Sequence, residues 1–203
     1  MRLPANSLVV LIGPSGAGKS HWAATSFRAD QVVSTDGLRA LVGTGPGDQR
    51  AGTDAFDLLD VVLDRRLGRG LLTVVDSLGL DPDRRRRYLE AARRHGFSAH
   101  AVVFDTPAEV CRARNRSRPE PVPSKVLTAQ LAARDGVLAA LVDEGFDGVH
   151  QPGPVDVVPA GLLAAPDHAA AQVARPVALE FGLHLSSFSW GPGPPLADRL
   201  AEV

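Results

Sequence analysis

Residues 7–20 read SLVVLIGPSGAGKS: an aliphatic run, a glycine-rich turn, then a lysine and a serine. From Gly13 to Ser20 the spacing is G-x-x-x-x-G-K-[ST], and it constrains the chain more than any other feature. Such a loop works only between a buried strand and the start of a helix. Its glycines let Gly13, Pro14, Ser15, Gly16, Ala17 and Gly18 curl so that successive N–H groups face phosphate oxygens, and the helix N-terminus adds its positive end. Lys19 supplies a mobile charge for the β- and γ-phosphates, and Ser20 a hydroxyl for Mg²⁺. The expected ligand is ATP with Mg²⁺.

The rest of the chain suits that placement. Short apolar runs at Ser7–Ile12, Gln31–Ser34, Leu71–Val75 and Ala99–Phe104 alternate with amphipathic stretches at 18–27, Ala55–Arg69, Pro82–His95, Pro107–Asn115 and Ser124–Leu141. This alternation is that of βαβ units around a parallel sheet. The expected fold class is therefore α/β, a P-loop NTPase with a parallel sheet flanked by helices.

Three further groups of residues narrow the chemistry. Ser34-Thr35-Asp36-Gly37-Leu38-Arg39 follows the second strand, at the sheet edge that also carries the phosphate loop. There Asp36 could accept a hydroxyl proton and Arg39 could hold an anionic acceptor; the alternative is a capping Asp with a solvated Arg. Asp76 ends the third strand, where a carboxylate helps hold Mg²⁺ or caps the next turn. Arg112, Arg114, Arg116 and Arg118 crowd one helix end before Pro119, Pro121 and Pro123. Four close cations either close over a triphosphate as a water-excluding lid or sit solvated at a helix C-terminus.

The segments GPSGAGKS (13–20), STDGLR (34–39), GDQR (47–50), LTVVDS (72–77) and CRARNRSRPEPVPSKVL (111–127) occur in this order. In that order they resemble the kinase domain of bacterial polynucleotide kinase-phosphatase and phage polynucleotide 5′-kinase-like P-loop kinases, over about residues 5–150. The resemblance implies ATP- and Mg²⁺-dependent phosphoryl transfer to the 5′-hydroxyl of a nucleic acid. It further implies Asp36 as general base, Arg39 as ligand of an acceptor 3′-phosphate, and Arg114 and Arg118 as lid arginines. The chain departs from the pattern at Asp76-Ser77-Leu78-Gly79-Leu80, where the family commonly has an Asp-Ala-Thr-Asn type of sequence, and at Pro121, where a further lid arginine is expected. Small-molecule kinases share part of the pattern, so they stay open as an alternative.

Composition removes other classes. With 44% apolar and 22% charged residues the chain can bury a core, and a net charge of −1 is no basic coat. Of 22 basic residues 20 are Arg, ten of them between Arg84 and Arg118. Those on the predicted helix Pro82–His95 either track a nucleic-acid backbone or form a solvated, ion-paired face with Asp81, Asp83 and Glu90. Asp54, Asp57, Asp60 and Asp64 read as a second exposed face. One cysteine, Cys111, excludes an internal disulfide and reads as a small buried residue, and Trp22 as a core residue. No run suits a membrane span, so a soluble, cytoplasmic protein is expected.

Beyond the kinase-like region 1–150, residues 151–178 are rich in Pro and Ala and read as a linker. Residues 179–203 read as a strand, a loop bearing Trp190, and a helix. Residues 180–203 resemble the opening of luciferase-like, flavin- or deazaflavin-dependent monooxygenases. That resemblance implies a possible second domain, for which residues 1–150 would act as an ATP-binding regulatory module; a terminal strand and helix packed on the kinase-like domain is the alternative.

Overall fold

In a computed structural model that describes residues 1–160, all six residues of Ser7–Ile12 are buried at the middle of a five-stranded sheet. The strands of the chain are β1 (Arg2–Pro4), β2 (Ser7–Ile12), β3 (Val32–Ser34), β4 (Thr73–Asp76), β5 (Ser98–Val103), β6 (Gly148–His150) and β7 (Asp156–Val158). The helices are α1 (Lys19–Ser26), α2 (Thr35–Val42), α3 (Gly52–Leu67), α4 (Pro82–Arg94), α5 (Ala108–Arg116) and α6 (Ser124–Glu144). The main sheet runs β3-β4-β2-β5-β6 with every pairing parallel, as the alternating pattern predicts.

Both faces of β2 are covered, which is why it reads as a continuous apolar run rather than an alternating one. Leu8, Val10 and Ile12 face a layer built with Leu59 and Leu63 of α3 and Leu89 of α4. Val9 and Leu11 face the opposite layer, with Ala23 of α1 and Leu127 and Leu131 of α6. Cys111 joins that second layer, fully buried. Trp22 is only half-buried: it packs edge-on to Phe27 and Phe104, and its indole N–H donates to the Gly153 carbonyl.

Residues 151–160, read above as the opening of a linker, are held to the domain. β7 pairs in parallel with β1, matching Arg2 to Asp156 and Pro4 to Val158. The remaining linker residues and the strand-loop-helix resembling a luciferase-like start lie outside the described residues.

The arginine-rich helix α4 is mostly an ion-paired face, but its partners come largely from α3. Asp60 receives Arg84 and Arg87, and Asp64 receives Arg94 and His95, so the acidic face of α3 is partly spent on α4. Arg85 differs from its neighbours, at 1% exposure. It donates to both carboxylate oxygens of Glu144 at the end of α6, and to the Gly79 carbonyl at 2.7 Å. This pair, its arginine buried and its glutamate half-buried, joins α4, α6 and the segment after Asp76. Removing one partner leaves an uncompensated charge, so Glu144→Ala is expected to cost about 3–5 kcal/mol. Replacing both partners, as Arg85→Met with Glu144→Leu, should cost clearly less. Denaturant midpoints of the two variants check this.

Candidate active site

Three parallel strands end together. β2 runs into the phosphate loop, β3 leads into α2, and β4 ends at Asp76, with Ser34 paired to Asp76 and Val10 to Val75. The predicted groups therefore share one sheet edge, the place where open α/β sheets bind ligands.

The loop itself is tightly braced. Gly16 and Gly18 have φ of +81° and +100°, a region that L side chains disfavour. At Gly16 a Cβ would also lie 2.6 Å from the Cys111 carbonyl oxygen. The Gly13 N–H donates to the Leu78 carbonyl at 2.9 Å, tying the loop to the segment after Asp76. In that segment Gly79 has φ of +63°, and a Cβ there would meet the Leu11 carbonyl at 2.5 Å. The departure at Leu78-Gly79 thus makes its own contact with the loop.

Lys19 opens α1 and is 7% exposed, its ammonium donating to the carbonyls of Gly13 at 2.7 Å and Pro14 at 3.0 Å. Burial lowers its pKa to about 8, against the pull of Asp76 and Asp36. Asp76 is 6% exposed and has the Ser20 hydroxyl beside it. Its burial raises its pKa, while Ser20 and Lys19 hold it down. A buried carboxylate beside an exposed hydroxyl at a phosphate loop is a hard oxygen donor set, which suits Mg²⁺.

On α2 the cap is Ser34, whose hydroxyl accepts from Gly37 N at 3.4 Å. Asp36 is therefore not the capping residue, and Arg39 is not solvated. The two form an ion pair at 3.0 Å, with side-chain exposures of 57% for Asp36 and 16% for Arg39. Arg39 also donates to the Pro46 carbonyl at 2.6 Å, fixing it against the 43–48 loop.

Of the four arginines, Arg112, Arg114 and Arg116 lie on α5, and Arg118 lies in the short loop between α5 and α6. Buried Asn115 closes its base by donating to the Val122 carbonyl at 2.8 Å and accepting the Val122 N–H at 3.0 Å. Arg114 donates to the Gly16 carbonyl at 3.3 Å. Arg118 is close enough to act on the charges of both Lys19 and Asp76. All four arginines are exposed, and among the described residues Arg112 and Arg116 make no hydrogen bond to the phosphate loop. At the tip, the Glu120 carboxylate lies beside Gly47, where a Cβ would collide with it, so the loop reaches the 43–48 segment.

Several residues at the site carry no motif. A cavity of about 450 Å³ beside the phosphate loop is lined by Gly18, His21, Phe104, Thr106, Arg114 and Pro152. Gln130 of α6 accepts the Ser15 N–H at 2.9 Å, and Arg134 donates to the Thr106 carbonyl at 2.7 Å. The only sequence signal for these two is their shared helix face with Leu127 and Leu131.

The AAA domain family matches residues 8–139. The chain belongs to that family. Its AAA domain has the fold of solved P-loop kinases. The structure of the Pnkp1/Rnl/Hen1 RNA repair complex aligns with a TM-score of 0.58 and 16% identity, over 69% of this chain and 47% of that one. Kti12 of Chaetomium thermophilum, solved with ADP-AlF3, aligns with a TM-score of 0.50 and 16% identity, over 75% of this chain and 88% of that one. A curated Arabidopsis thaliana protein described as transcription factor bHLH140 is 32% identical over 111 residues. That match takes in 55% of this chain, which spans only 11% of the relative's length. Among the described residues of the AAA domain, no helix is long and apolar enough to cross a membrane.

The lowered pKa of Lys19 gives a pH dependence. A triphosphate favours the ammonium, so above a pKa of about 8 nucleotide binding must take up a proton. ATP affinity is expected to be flat below that value and to fall by up to about tenfold per pH unit above it. Lys19→Arg, charged throughout, should abolish the pH dependence. Titrating ATP at a series of pH values measures both.

Proposed function

We propose that the AAA domain transfers the γ-phosphate of ATP to a hydroxyl, and that the acceptor is the 5′-end of a polynucleotide. The carrying observation is the Ser34–Asp76 register, which sets the Asp36–Arg39 pair at the edge that carries Lys19, Ser20 and Asp76. The ordered motifs at 34–39, 47–50 and 111–127 support the choice of acceptor, as does the fold shared with the Pnkp1-containing RNA repair complex.

In this reading the nucleotide lies with its phosphates in the loop 13–20 and its base side in the cavity by His21, Phe104 and Arg114. Lys19 and the lid arginines Arg114 and Arg118 neutralise the phosphates. Ser20 and Asp76 would hold Mg²⁺, which supplies charge neutralisation between the phosphates. Arg39 fixes an anionic acceptor group, its 3′-phosphate, and Asp36 faces the acceptor hydroxyl. The hydroxyl oxygen attacks the γ-phosphorus in line, the bond to the β-phosphate oxygen breaks, ADP departs, and the hydroxyl proton passes to Asp36. The Asp36–Arg39 ion pair has to open or be shared as the acceptor arrives. Catalysis is then mainly positioning and charge neutralisation.

A small-molecule acceptor is the second reading, and Glu120 favours it. Its carboxylate rests on Gly47 across the cleft, narrowing the path of a polyanion.

Two measurements test the reading. With γ-labelled ATP and Mg²⁺, label should pass to a 5′-hydroxyl oligonucleotide in preference to small alcohols; label found only on small alcohols selects the second reading. Asp36→Asn should lower transfer by about 10²–10⁴-fold with ATP affinity nearly unchanged. A parallel loss of ATP binding would make Asp36 a structural or metal-site residue. Arg39→Ala should weaken acceptors with a 3′-phosphate more than those without one.

A further inference from the structure

The helix that follows the lid is hydrogen-bonded directly to the phosphate loop. Lid residues 116–121 are closed at their base by Asn115 and Val122, and α6 begins two residues later at Ser124. In its second turn Gln130 reaches the loop: its side-chain carbonyl accepts the Ser15 N–H at 2.9 Å. One turn further, Arg134 donates to the Thr106 carbonyl at 2.7 Å, and the Thr106 hydroxyl donates to the Ala17 carbonyl at 2.8 Å. Gln130 and Arg134 are four residues apart and so share a face. Leu127 and Leu131 pack that side of the helix into the apolar layer that contains Ala17.

These contacts address a specific weakness of such loops. A phosphate loop binds anions because its N–H groups point inward with no protein partner, and that same lack of partners leaves its shape under-determined. Here one N–H at the rim, that of Ser15, is taken by a neutral side-chain acceptor. The Ala17 carbonyl, which must face away from an anion, is taken by the Thr106 hydroxyl. The loop is held at both points from the α6 side.

We propose that Gln130, seconded by Arg134 through Thr106, is a positioning residue that holds the phosphate loop in its anion-binding shape and ties that shape to the helix carrying the lid. The inference rests on the phosphoryl-transfer reading above. Gln130 touches neither reacting atom; it acts through Ser15. Displacing α6 would then disturb the loop and the lid arginines together, so that Arg118 and Lys19 approach the phosphates as one unit.

The test compares Gln130→Met, which keeps the length and removes the acceptor, with Gln130→Glu, which keeps the acceptor and adds a charge. In the free protein, Gln130→Met should move the Ser15 amide proton resonance upfield, and Gln130→Glu should leave it hydrogen-bonded. This readout is independent of any acceptor. In transfer assays Gln130→Met should lower kcat by about tenfold, with a smaller change in the KM for ATP. Gln130→Glu should recover much of the kcat while raising the KM for ATP, because its carboxylate repels the triphosphate. Equal kcat and KM in Gln130→Met and the parent protein, or an unmoved Ser15 resonance, overturns the inference. A lower thermal midpoint with kcat per folded molecule unchanged also overturns it, since that is the mark of a purely structural contact. If the parent protein transfers no phosphate at all, the proposed function fails instead, and the Ser15 resonance still decides whether Gln130 holds the loop.

Discussion

The placement of every candidate functional group depends on the register of β2 between two parallel neighbours. β4 and β5 fix its height in the sheet, and a parallel ladder slips only at the cost of turning buried residues to the wrong face. With Leu8, Val10 and Ile12 committed to one apolar layer and Val9 and Leu11 to the other, there is one favourable height. That height delivers Ile12 to the sheet edge, where the chain must turn. The Gly13 N–H, which would otherwise be orphaned at the turn, finds the Leu78 carbonyl, so the end of β2 and the continuation of β4 lock each other. β3 takes its place from β4 in turn, and Ser34 comes level with Asp76.

The same edge gathers buried charge. Lys19 and Asp76 are nearly inaccessible, and their burial pushes both pKa values towards neutrality, the lysine down and the aspartate up. Each partly relieves the other, and Arg118 and Asp36 add opposing fields from across the cleft. A site of this kind is held in tension without its ligand. A triphosphate favours the charged lysine, and a divalent cation favours the charged carboxylate, so both would relieve what burial has cost. The net charge of −1 conceals this, because the arginines of α4 are answered by acids of α3 while those near Gly16 and Lys19 face the cleft.

Local patterns made the centre of the fold legible. The loop 13–20 runs on directly from its buried strand, and the acid at Asp76 directly from its own apolar run, so each is visible as a local pattern. Asp36 and Arg39 could be placed at the sheet edge, but the capping role had to be settled by coordinates: Ser34 takes it. What stayed hidden has a common physical cause, pairing between segments far apart in the chain. β1 and β7 are three residues each and show no periodicity, so only their mutual pairing makes them strands. Arg85 sits in a run of four arginines, and nothing in that run says that one of them meets Glu144, 59 residues away, in the interior. Gln130 and Arg134 look like the polar side of a helix until the phosphate loop is laid against them.

These hidden contacts are concentrated on α6. Its second turn holds Ser15, its third reaches Thr106, and its last residue is the partner of Arg85, which also grips Gly79 behind the phosphate loop. The helix is thus fastened along its length to the framework of the site, while its N-terminal end follows the loop that bears Arg118. If the loop bearing Arg118 closes over a nucleotide as proposed, a loosely held helix would bring Arg118 to many positions. With α6 pinned at three points, the stretch between Asn115 and Ser124 is the part left least tied, and Asn115 braces it at its base. The ion pair at the far end of α6 therefore bears on the placement of Arg118 as well as on stability, because it fixes the helix into which the loop bearing Arg118 leads.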